Sequence, residues 1–126
     1  MANDIAARYR VKPSAPVQLS QLDPADTAGV PDKKTAKKRV KEDAKIINML
    51  QDRLYAERKC ALLVILQGVD TSGKDGTIRK VLNRTGPLGV SVTAFGRPSA
   101  EELSHDFLWR AHLAAPRRGT IGIFNR

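Results

Sequence analysis

Apolar residues recur at three- and four-residue spacing between residues 32 and 58, and Lys and Arg fill many of the positions between them. This spacing is typical of a helix that buries one face. Asp32 stands directly before the pattern and is predicted to be the N-cap. The apolar positions of this first predicted helix are Val40, Ala44, Ile47, Leu50 and Leu54.

The rest of the chain alternates between strand-like and helix-like segments. An unbroken apolar run at 60–66 predicts a strand buried on both faces, as in a parallel sheet. It is followed by a helical segment at 74–84, a strand at 90–95, a third helix from 99 to about 114 and a strand at 120–124. This order predicts an α/β architecture, and right-handed crossover connections would make the sheet parallel.

The third helix is predicted from its first residues and from an apolar stripe. Ser99 and Glu102 have the spacing of a capping box. Trp109 is interpreted as a core or interface residue rather than a base-stacking platform. The stripe, which is expected to pack on the sheet, consists of Leu103, Phe107, Ala111 and Ala114.

Composition narrows the function classes. The 126 residues suffice for one domain, and we expect residues 1–31 to be an extended or flexible arm and 32–126 to be the domain. One cysteine and two histidines exclude a disulfide framework and a convincing zinc cluster. No apolar run has the length of a membrane span and no secretory signal is visible, so we expect a cytoplasmic protein without a membrane partner.

The charge points to polyanionic partners. The chain has 22 Lys and Arg against 13 Asp and Glu, a formal net charge of +9, which favours nucleic acid, nucleotides or polymeric phosphate. Specific nucleic-acid recognition is not indicated, because no aromatic residue interleaves with the basic run. That run is interpreted as a solvated helix face, with polyanion binding as the alternative; it comprises Lys33, Lys34, Lys37, Lys38, Arg39 and Lys41.

The most informative segment is a glycine-rich turn between a predicted strand and a predicted helix. It contains G-x-x-x-x-G-K, the core of a phosphate-binding P-loop. Glycines let consecutive amides point into one concavity, the following helix start attracts anions, and Lys74 supplies a mobile ammonium. The predicted phosphate- or nucleotide-binding residues here are Gly68, Thr71, Ser72, Gly73, Lys74, Asp75, Gly76 and Thr77.

Two carboxylates stand in this anion-binding segment. Asp75 occupies the position after the lysine, where a Ser or Thr normally holds magnesium, and Asp70 lies inside the turn. Carboxylates near phosphate make sense if a divalent cation lies between them. We therefore predict a metal role for Asp70, whereas Asp75 either binds metal or caps the helix. Thr77 could supply a hydroxyl or pack within the helix.

The segment LLVILQGVDTSGKDGT, residues 62–77, resembles the P-loop of the polyphosphate kinase 2 family. IRKV at 78–81, PSAEELSHDFLWR at 98–110 and RGTIGIFNR at 118–126 continue the resemblance. It implies a P-loop kinase-like three-layer fold with a parallel sheet. It also implies transfer of the terminal phosphoryl group between inorganic polyphosphate and a nucleotide, ADP, GDP or AMP, with Mg²⁺.

The resemblance also implies roles for single residues. Asp70 matches the family's magnesium aspartate, and Lys74 its phosphate-binding lysine. Asn125 and Arg126 match the end of the Walker B-like strand, so Asn125 becomes a candidate metal ligand and Arg126 a phosphate-binding, catalytic arginine. Arg97 follows the second predicted strand, where α/β sheets bind ligands; it either contacts a substrate phosphate or is a surface residue.

Family members continue beyond the point that matches residue 126, into further strands and an arginine-rich lid. We therefore expect a C-terminally truncated chain, the N-terminal half of the family domain, whose exposed sheet edge an oligomer could cover. Two alternatives to the phosphotransferase remain open. One is an ATP-dependent nucleotide kinase, and the other is a non-catalytic fragment that binds polyanions or nucleotides.

Overall fold

The structure, a computed structural model, describes residues 7–27 and 32–126 and divides into two units, Met1–Lys38 and Arg39–Arg126. In the described part of the first unit, one short 3-10 turn spans Leu19–Gln21, and Arg8 Nη2 donates to Asp26 Oδ2 over 2.8 Å. Residues 1–6 and 28–31, part of the predicted arm, lie outside the described residues. The arm and its boundary with the domain stay predictions.

The first helix, α1, spans Lys33–Glu57 as its periodicity predicts. Asp32 is its N-cap: the carboxylate accepts hydrogen bonds from the Lys34 amide at 2.9 Å and from the Thr35 amide at 3.2 Å and hydroxyl at 2.6 Å. The predicted apolar face is only partly buried. Ala44 is buried, whereas Val40 and Leu50 are exposed.

One buried residue of α1 was not predicted because it is polar. Gln51 is buried, and its Oε1 accepts a hydrogen bond from the Gly86 amide over 3.1 Å. A buried amide side chain costs free energy unless it is hydrogen-bonded, so this contact explains how Gln51 is tolerated there. It joins α1 to the turn before the second strand.

Asp32 gives a pH-dependent prediction. Its pKa is held below the ordinary value of 3.8, first by the Thr35 hydroxyl and then by the Thr35 and Lys34 amides. A carboxyl whose pKa is lowered by folding stabilises the fold above its unfolded pKa, and this contribution disappears as the pH falls through the folded value. We expect Asp32→Ala to lower the melting temperature at pH 7, and the difference from wild type to vanish well below pH 3.8.

The matched variant Thr35→Val removes the donor that contributes most to this shift. It should reduce the pH dependence while leaving the carboxylate in place. Circular dichroism melts of the three proteins between neutral and strongly acidic pH measure both effects. A melting-temperature difference between Asp32→Ala and wild type that stays constant over this range would contradict the assignment.

The second unit is built on a parallel three-stranded sheet, as the helix–strand alternation predicts. The strands β1 (Leu62–Leu66), β2 (Val90–Ala94) and β3 (Ile121–Asn125) lie in the order β1-β3-β2. Ile123 of β3 is in register with Val64 on one side and Val92 on the other. The last strand of the sequence is therefore the central one.

The burial of the sheet follows from this order. Ile121, Ile123 and Phe124 of the central strand are buried and form most of the core. The prediction that the 60–66 strand is buried on both faces is wrong, because the described helices leave side chains on both faces of β1 uncovered: Leu62 and Leu63 are exposed. Ile65 of β1 is 60% exposed.

The helices between the strands are shorter than predicted. The helix α2 spans Lys74–Val81 and ends before the predicted Arg84, and Pro87–Gly89 forms a 3-10 turn that leads into β2. No helix within residues 7–27 and 32–126 combines the length and apolar character that crossing a membrane requires.

The single third helix predicted from 99 to 114 is wrong; two short helices stand in its place. The capping box of Ser99 and Glu102 is confirmed and opens α3, Ala100–Ser104, and a separate α4 spans Trp109–Leu113. Asp106 causes the break, because its Oδ1 accepts from the Leu108 amide at 2.8 Å. Such side-chain bonds compete with helical backbone bonds.

The break leaves part of the predicted stripe in solvent. Leu103 is 71% and Phe107 86% exposed, so the prediction that they pack on the sheet is wrong. Ala111 and Ala114 are half-buried. Trp109 is half-buried too, and its indole stacks on the exposed His105 ring at a centroid distance of 4.1 Å. The other histidine, His112, is exposed.

Candidate functional site

The glycine-rich loop, Gly68–Gly73, connects the carboxyl end of β1 to α2, which begins at Lys74. Its start is bound to the end of β3 by two backbone hydrogen bonds. The Gly68 amide donates to Arg126 O at 3.1 Å, and the Arg126 amide donates to Leu66 O at 2.9 Å. Parallel pairing thus brings two segments far apart in sequence to the same edge of the sheet.

A pocket of about 390 Å³ opens at this edge, and we call it the loop pocket. It collects most of the predicted site residues from three separate segments. Its lining consists of Asp70, Thr71, Ser72, Gly73, Lys74, Asp75, Gly76, Phe95, Asn125 and Arg126. In α/β sheets the carboxyl ends of the strands are where ligands bind.

Three amides of the glycine-rich loop already have acceptors within the protein. The Gly68 amide is bound to Arg126, the Thr71 amide donates to Asp70 Oδ1 at 2.9 Å, and the Ser72 amide donates to Val69 O at 3.2 Å. Gly68 does not line the loop pocket. The loop amides of 68, 71 and 72 therefore hold the loop in shape, and their predicted phosphate contacts stay predictions.

The next four amides, those of residues 73–76, are different. Among residues 7–27 and 32–126 none of them has a hydrogen-bond acceptor, and no side chain caps the start of α2. The first hydrogen bond of this helix is donated by the Thr77 amide to Gly73 O at 2.9 Å. Consecutive unpaired N–H groups at the positive end of a helix dipole form a binding site for an anion.

Lys74 lies folded over the loop. Its Nζ donates to Gly68 O at 2.8 Å, to Val69 O at 2.9 Å and to Ser72 Oγ at 3.3 Å. These bonds hold the ammonium beside the loop pocket and give the loop carbonyls a partner. They join neutral acceptors, with no carboxylate among them, so the positive charge remains available to an anion.

Oxygen donors for a divalent cation also converge on the loop pocket. The Asn125 side-chain amide donates from Nδ2 to Asp75 Oδ1 at 2.7 Å. Asn125 Oδ1 is buried and has no hydrogen-bond partner among the described residues. Together with Asp70 these atoms are the hard oxygen ligands that Mg²⁺ prefers. The described residues hold no cluster of three or more His, Cys, Asp or Glu.

Such a donor set fits magnesium that is shared with a phosphate ligand. Mg²⁺ usually takes one or two carboxylates from the protein and completes its shell with water and substrate phosphates. Asp70 and Asp75 would supply the two carboxylates and Asn125 Oδ1 a neutral oxygen. The orphaned Asn125 oxygen is the observation that supports this fit, because buried polar atoms are normally paired.

Besides Gly68, two predicted residues lie outside the loop pocket. Thr77 Oγ1 donates to Gly73 O at 3.1 Å, so its hydroxyl is already bonded at the start of α2. Arg97 is exposed, and in the described part of the chain its side chain has no hydrogen bond and no ion pair. The predicted phosphate contacts of both residues stay predictions.

Phe95 lines the loop pocket and was not predicted as a site residue. It follows β2, and its ring meets that of Phe124 edge-on at 4.8 Å. The Arg110 guanidinium lies 5.2 Å from the Phe95 ring centroid, and its Nη1 donates to Gly96 O at 3.1 Å. In the sequence, only the position of Phe95 directly after the second predicted strand could have marked it as a site residue.

Gly73 gives a prediction about the shape of the loop. Its φ of +87° lies in the left-handed region, which a side chain disfavours. We expect Gly73→Ala to destabilise the protein by about 1–2 kcal/mol. Gly76→Ala is the matched control, because nothing lies within 4 Å of its new Cβ and alanine favours a helix. Urea unfolding measures both, and equal stabilities would contradict the loop geometry.

Comparison with known proteins decides the family. The sequence model for polyphosphate kinase 2 matches residues 30–126. The chain belongs to the polyphosphate kinase 2 family. The resemblance found in the sequence motifs is thereby confirmed, and so is the expected α/β fold with a parallel sheet.

Three relatives show the extent of the match. The AMP/ADP-polyphosphate phosphotransferase of Meiothermus ruber is 43% identical over 123 residues, which are 94% of this chain and 45% of that protein. The ADP-polyphosphate phosphotransferase of Rhodopseudomonas palustris is 53% identical over 77 residues, 61% of this chain and 27% of the relative. The crystal structure of polyphosphate kinase 2 from Arthrobacter aurescens superposes with a TM-score of 0.82 at 38% identity, over 93% of this chain and 43% of the other.

This member of the polyphosphate kinase 2 family spans less than half the length of those relatives. The matched part contains the glycine-rich loop, all three strands and every residue of the loop pocket. The candidate site therefore lies within the shared region.

Proposed function

We propose that this chain transfers the terminal phosphoryl group between inorganic polyphosphate and a nucleotide, AMP, ADP or GDP. The family membership and the names of the relatives, which are polyphosphate phosphotransferases for AMP, ADP and GDP, support the donor and acceptor classes. The free amides of residues 73–76 at the loop pocket carry the proposal, because they are consecutive hydrogen-bond donors with no acceptor among the described residues.

In the proposed reaction, an oxygen of the nucleotide's terminal phosphate attacks the terminal phosphorus of polyphosphate. The bond from that phosphorus to its bridging oxygen breaks, so the nucleotide gains one phosphoryl group and polyphosphate leaves one unit shorter. Transfer of this kind depends mainly on positioning and charge stabilisation. The four amides would hold the phosphoryl oxygens, and the Lys74 ammonium and Arg126 guanidinium would offset the charge that develops on them.

The same proposal includes Mg²⁺, which supplies charge neutralisation between phosphate oxygens and carboxylates when it is bound. Asp70, Asp75 and Asn125 would hold it. The hydrogen bond from Asn125 Nδ2 to Asp75 orients that carboxylate and leaves Asn125 Oδ1 as an additional oxygen ligand for the metal. Carboxylates in an anion pocket are then compatible with a phosphate ligand.

Asp70→Asn tests this metal role. The new amide keeps an oxygen that can accept from the Thr71 amide but loses the negative charge, so we expect the Mg²⁺ concentration at half-maximal effect to rise about tenfold or more. Mn²⁺ binding followed by electron paramagnetic resonance gives a readout without turnover. Asp106→Asn is the control, since Asp106 makes a similar bond to a nearby amide outside the loop pocket. Equal metal affinities of the two variants would contradict the role.

Activity itself is tested by incubating the chain with polyphosphate, Mg²⁺ and AMP, ADP or GDP, and by separating the nucleotide products. Product that requires polyphosphate supports the phosphotransferase. A preference for ATP as donor would instead favour an ordinary nucleotide kinase. Absence of product with every donor would reject turnover by this chain.

A second candidate is phosphate binding without turnover. It rests on the same free amides of residues 73–76, which can hold an anion whether or not a nucleotide is bound. A binding protein would hold polyphosphate through the loop pocket and form no nucleotide product. Isothermal titration with polyphosphate, run beside the product assay, separates binding from catalysis.

A further inference from the structure

A second cavity, of about 180 Å³, lies at the amino ends of β1 and β3. Four residues line it: Tyr55, Arg58, Arg117 and Arg118. The first two come from the end of α1 and the residue after it, and the two others from the turn that leads into β3. We call this cavity, which is lined by three arginines and a tyrosine, the arginine cavity.

The backbone around the arginine cavity is held in place. The Gly119 amide donates to Cys60 O at 2.7 Å, and Thr120 donates from both its amide and its hydroxyl to Arg117 O, at 3.1 and 2.7 Å. Arg58 and Gly119 have φ of +51° and +86°. Gly119 and Thr120 are buried although the arginines beside them are exposed. The backbone that carries these arginine side chains is therefore held in one position.

The charge of the arginine cavity is unbalanced. Within residues 7–27 and 32–126, the side chains of Arg58, Arg117 and Arg118 form no ion pair and donate no hydrogen bond. Other arginines of the second unit do have carboxylate partners: Arg53 pairs with Glu57 at 2.7 Å and Arg110 lies 3.7 Å from Glu102. Like charges in one place repel each other, and an anion between them removes that repulsion.

One contact inside the arginine cavity orients its lining. The Arg58 guanidinium carbon lies 5.8 Å from the centroid of the Tyr55 ring, within the range of a cation–π contact. This contact leaves the N–H groups at the edge of the guanidinium free. Each guanidinium is a planar fork of donors that matches the oxygens of a phosphate group.

We propose that the arginine cavity binds a phosphate-type oxyanion, separately from the loop pocket. Its volume of about 180 Å³ is below the roughly 300–1,000 Å³ of pockets for larger organic ligands. It therefore suits one or two phosphoryl groups rather than a nucleotide. The source is either free phosphate or pyrophosphate, or a segment of a polyphosphate chain, since all of them present the same oxygens.

The two sites lie at opposite ends of the sheet. The loop pocket is at the carboxyl ends of β1 and β3, and the arginine cavity is at their amino ends. Five strand residues at about 3.3 Å each separate the ends by roughly 16 Å. A single phosphate or pyrophosphate cannot occupy both sites, so binding at each can be followed independently.

The test is a titration of the ¹⁵N-labelled chain with inorganic pyrophosphate, followed by amide NMR. Wild type should show two separate sets of shifted amides, one around Gly119 and one at residues 73–76. In the double variant Arg117→Gln, Arg118→Gln we expect about tenfold or greater weakening at the first set only, because charged hydrogen bonds are lost there. The shifts at 73–76 report that the variant is folded.

The matched control is Arg79→Gln, Arg84→Gln, which removes two charges from exposed arginines outside the arginine cavity. It should bind as wild type does at Gly119. The proposal is overturned if the double variant still responds as strongly as wild type, or if the control loses the same affinity. Should the double variant fail to fold, the single changes Arg117→Gln and Arg118→Gln replace it, each expected to weaken binding severalfold.

A second arm uses long-chain polyphosphate and inorganic phosphate in place of pyrophosphate. A response at Gly119 to phosphate or pyrophosphate assigns the site to free anions, whereas a response to polyphosphate alone assigns it to the polymer. A response to none of the three overturns the proposal. If wild type showed no shifts at residues 73–76, that result would count against the proposed function. The arginine cavity would then be judged on the Gly119 shifts alone.

Discussion

Lys74→Met is expected to lower polyphosphate-dependent product formation by about 10²–10³-fold, the usual effect of removing one preorganised donor to transition-state charge. The ammonium lies beside four free amides and is bonded only to neutral oxygens of the loop. Methionine has a similar length but no charge, so it would remove the proposed interaction with the transferred phosphoryl group. The product assay with polyphosphate, Mg²⁺ and each nucleotide measures the loss.

Two variants separate this effect from others. Lys80→Met makes the same charge change at an exposed position near the end of α2 and should retain near-wild-type activity. Lys74→Arg keeps the positive charge with a different shape, and tests whether a point charge is sufficient. Equal rates for Lys74→Met and Lys80→Met would exclude a role for the Lys74 ammonium in transfer.

Ile123→Ala should destabilise the second unit by about 2–5 kcal/mol, the range for large-to-small changes in a core. Ile123 is 3% exposed in the central strand, in register with Val64 and Val92. Alanine lacks the outer carbons of the isoleucine side chain, so the change would leave a cavity in the core beside β3. A loss of this size is a large part of the stability of a small domain.

Urea unfolding monitored by circular dichroism measures this loss. Leu103→Ala is the control, since Leu103 is an exposed apolar residue of α3 and its truncation should change the stability by less than about 0.5 kcal/mol. Because β3 ends at Asn125 and is followed by Arg126, pyrophosphate binding at residues 73–76 should fall together with stability in Ile123→Ala. Similar stabilities of the two variants would contradict the central position of β3.

The sequence predicts most strands and helices of the second unit because each is encoded locally. The run before Gly68 and the helix after Lys74 could be read from consecutive residues, and so could the capping box at Ser99. The exposure of Ile65 could not, because it depends on which parts of the folded chain cover the faces of β1. The break at Asp106 could not either, since the apolar stripe continues across it.

Some features of the candidate site could likewise be predicted from the sequence, and others could not. The glycine-rich loop was recognisable because its residues are contiguous. The bond between Asn125 and Asp75 joins residues 50 positions apart and exists only when β3 lies beside β1. Phe95 carries no chemical signal that would mark it as a pocket residue. Which amides of this segment are hydrogen-bonded and which are free depends on backbone geometry, and no sequence motif specifies that geometry.

The placement of β3 has a consequence for biosynthesis. β1 and β2 are not neighbours, and within residues 7–27 and 32–126 each forms its backbone ladder only with β3, which follows both in the sequence. While the ribosome is still translating the residues before β3, the two earlier strands lack this hydrogen-bonding partner and expose apolar side chains. Such nascent segments are targets for chaperones. The glycine-rich loop would therefore reach its final geometry only after β3 has left the exit tunnel.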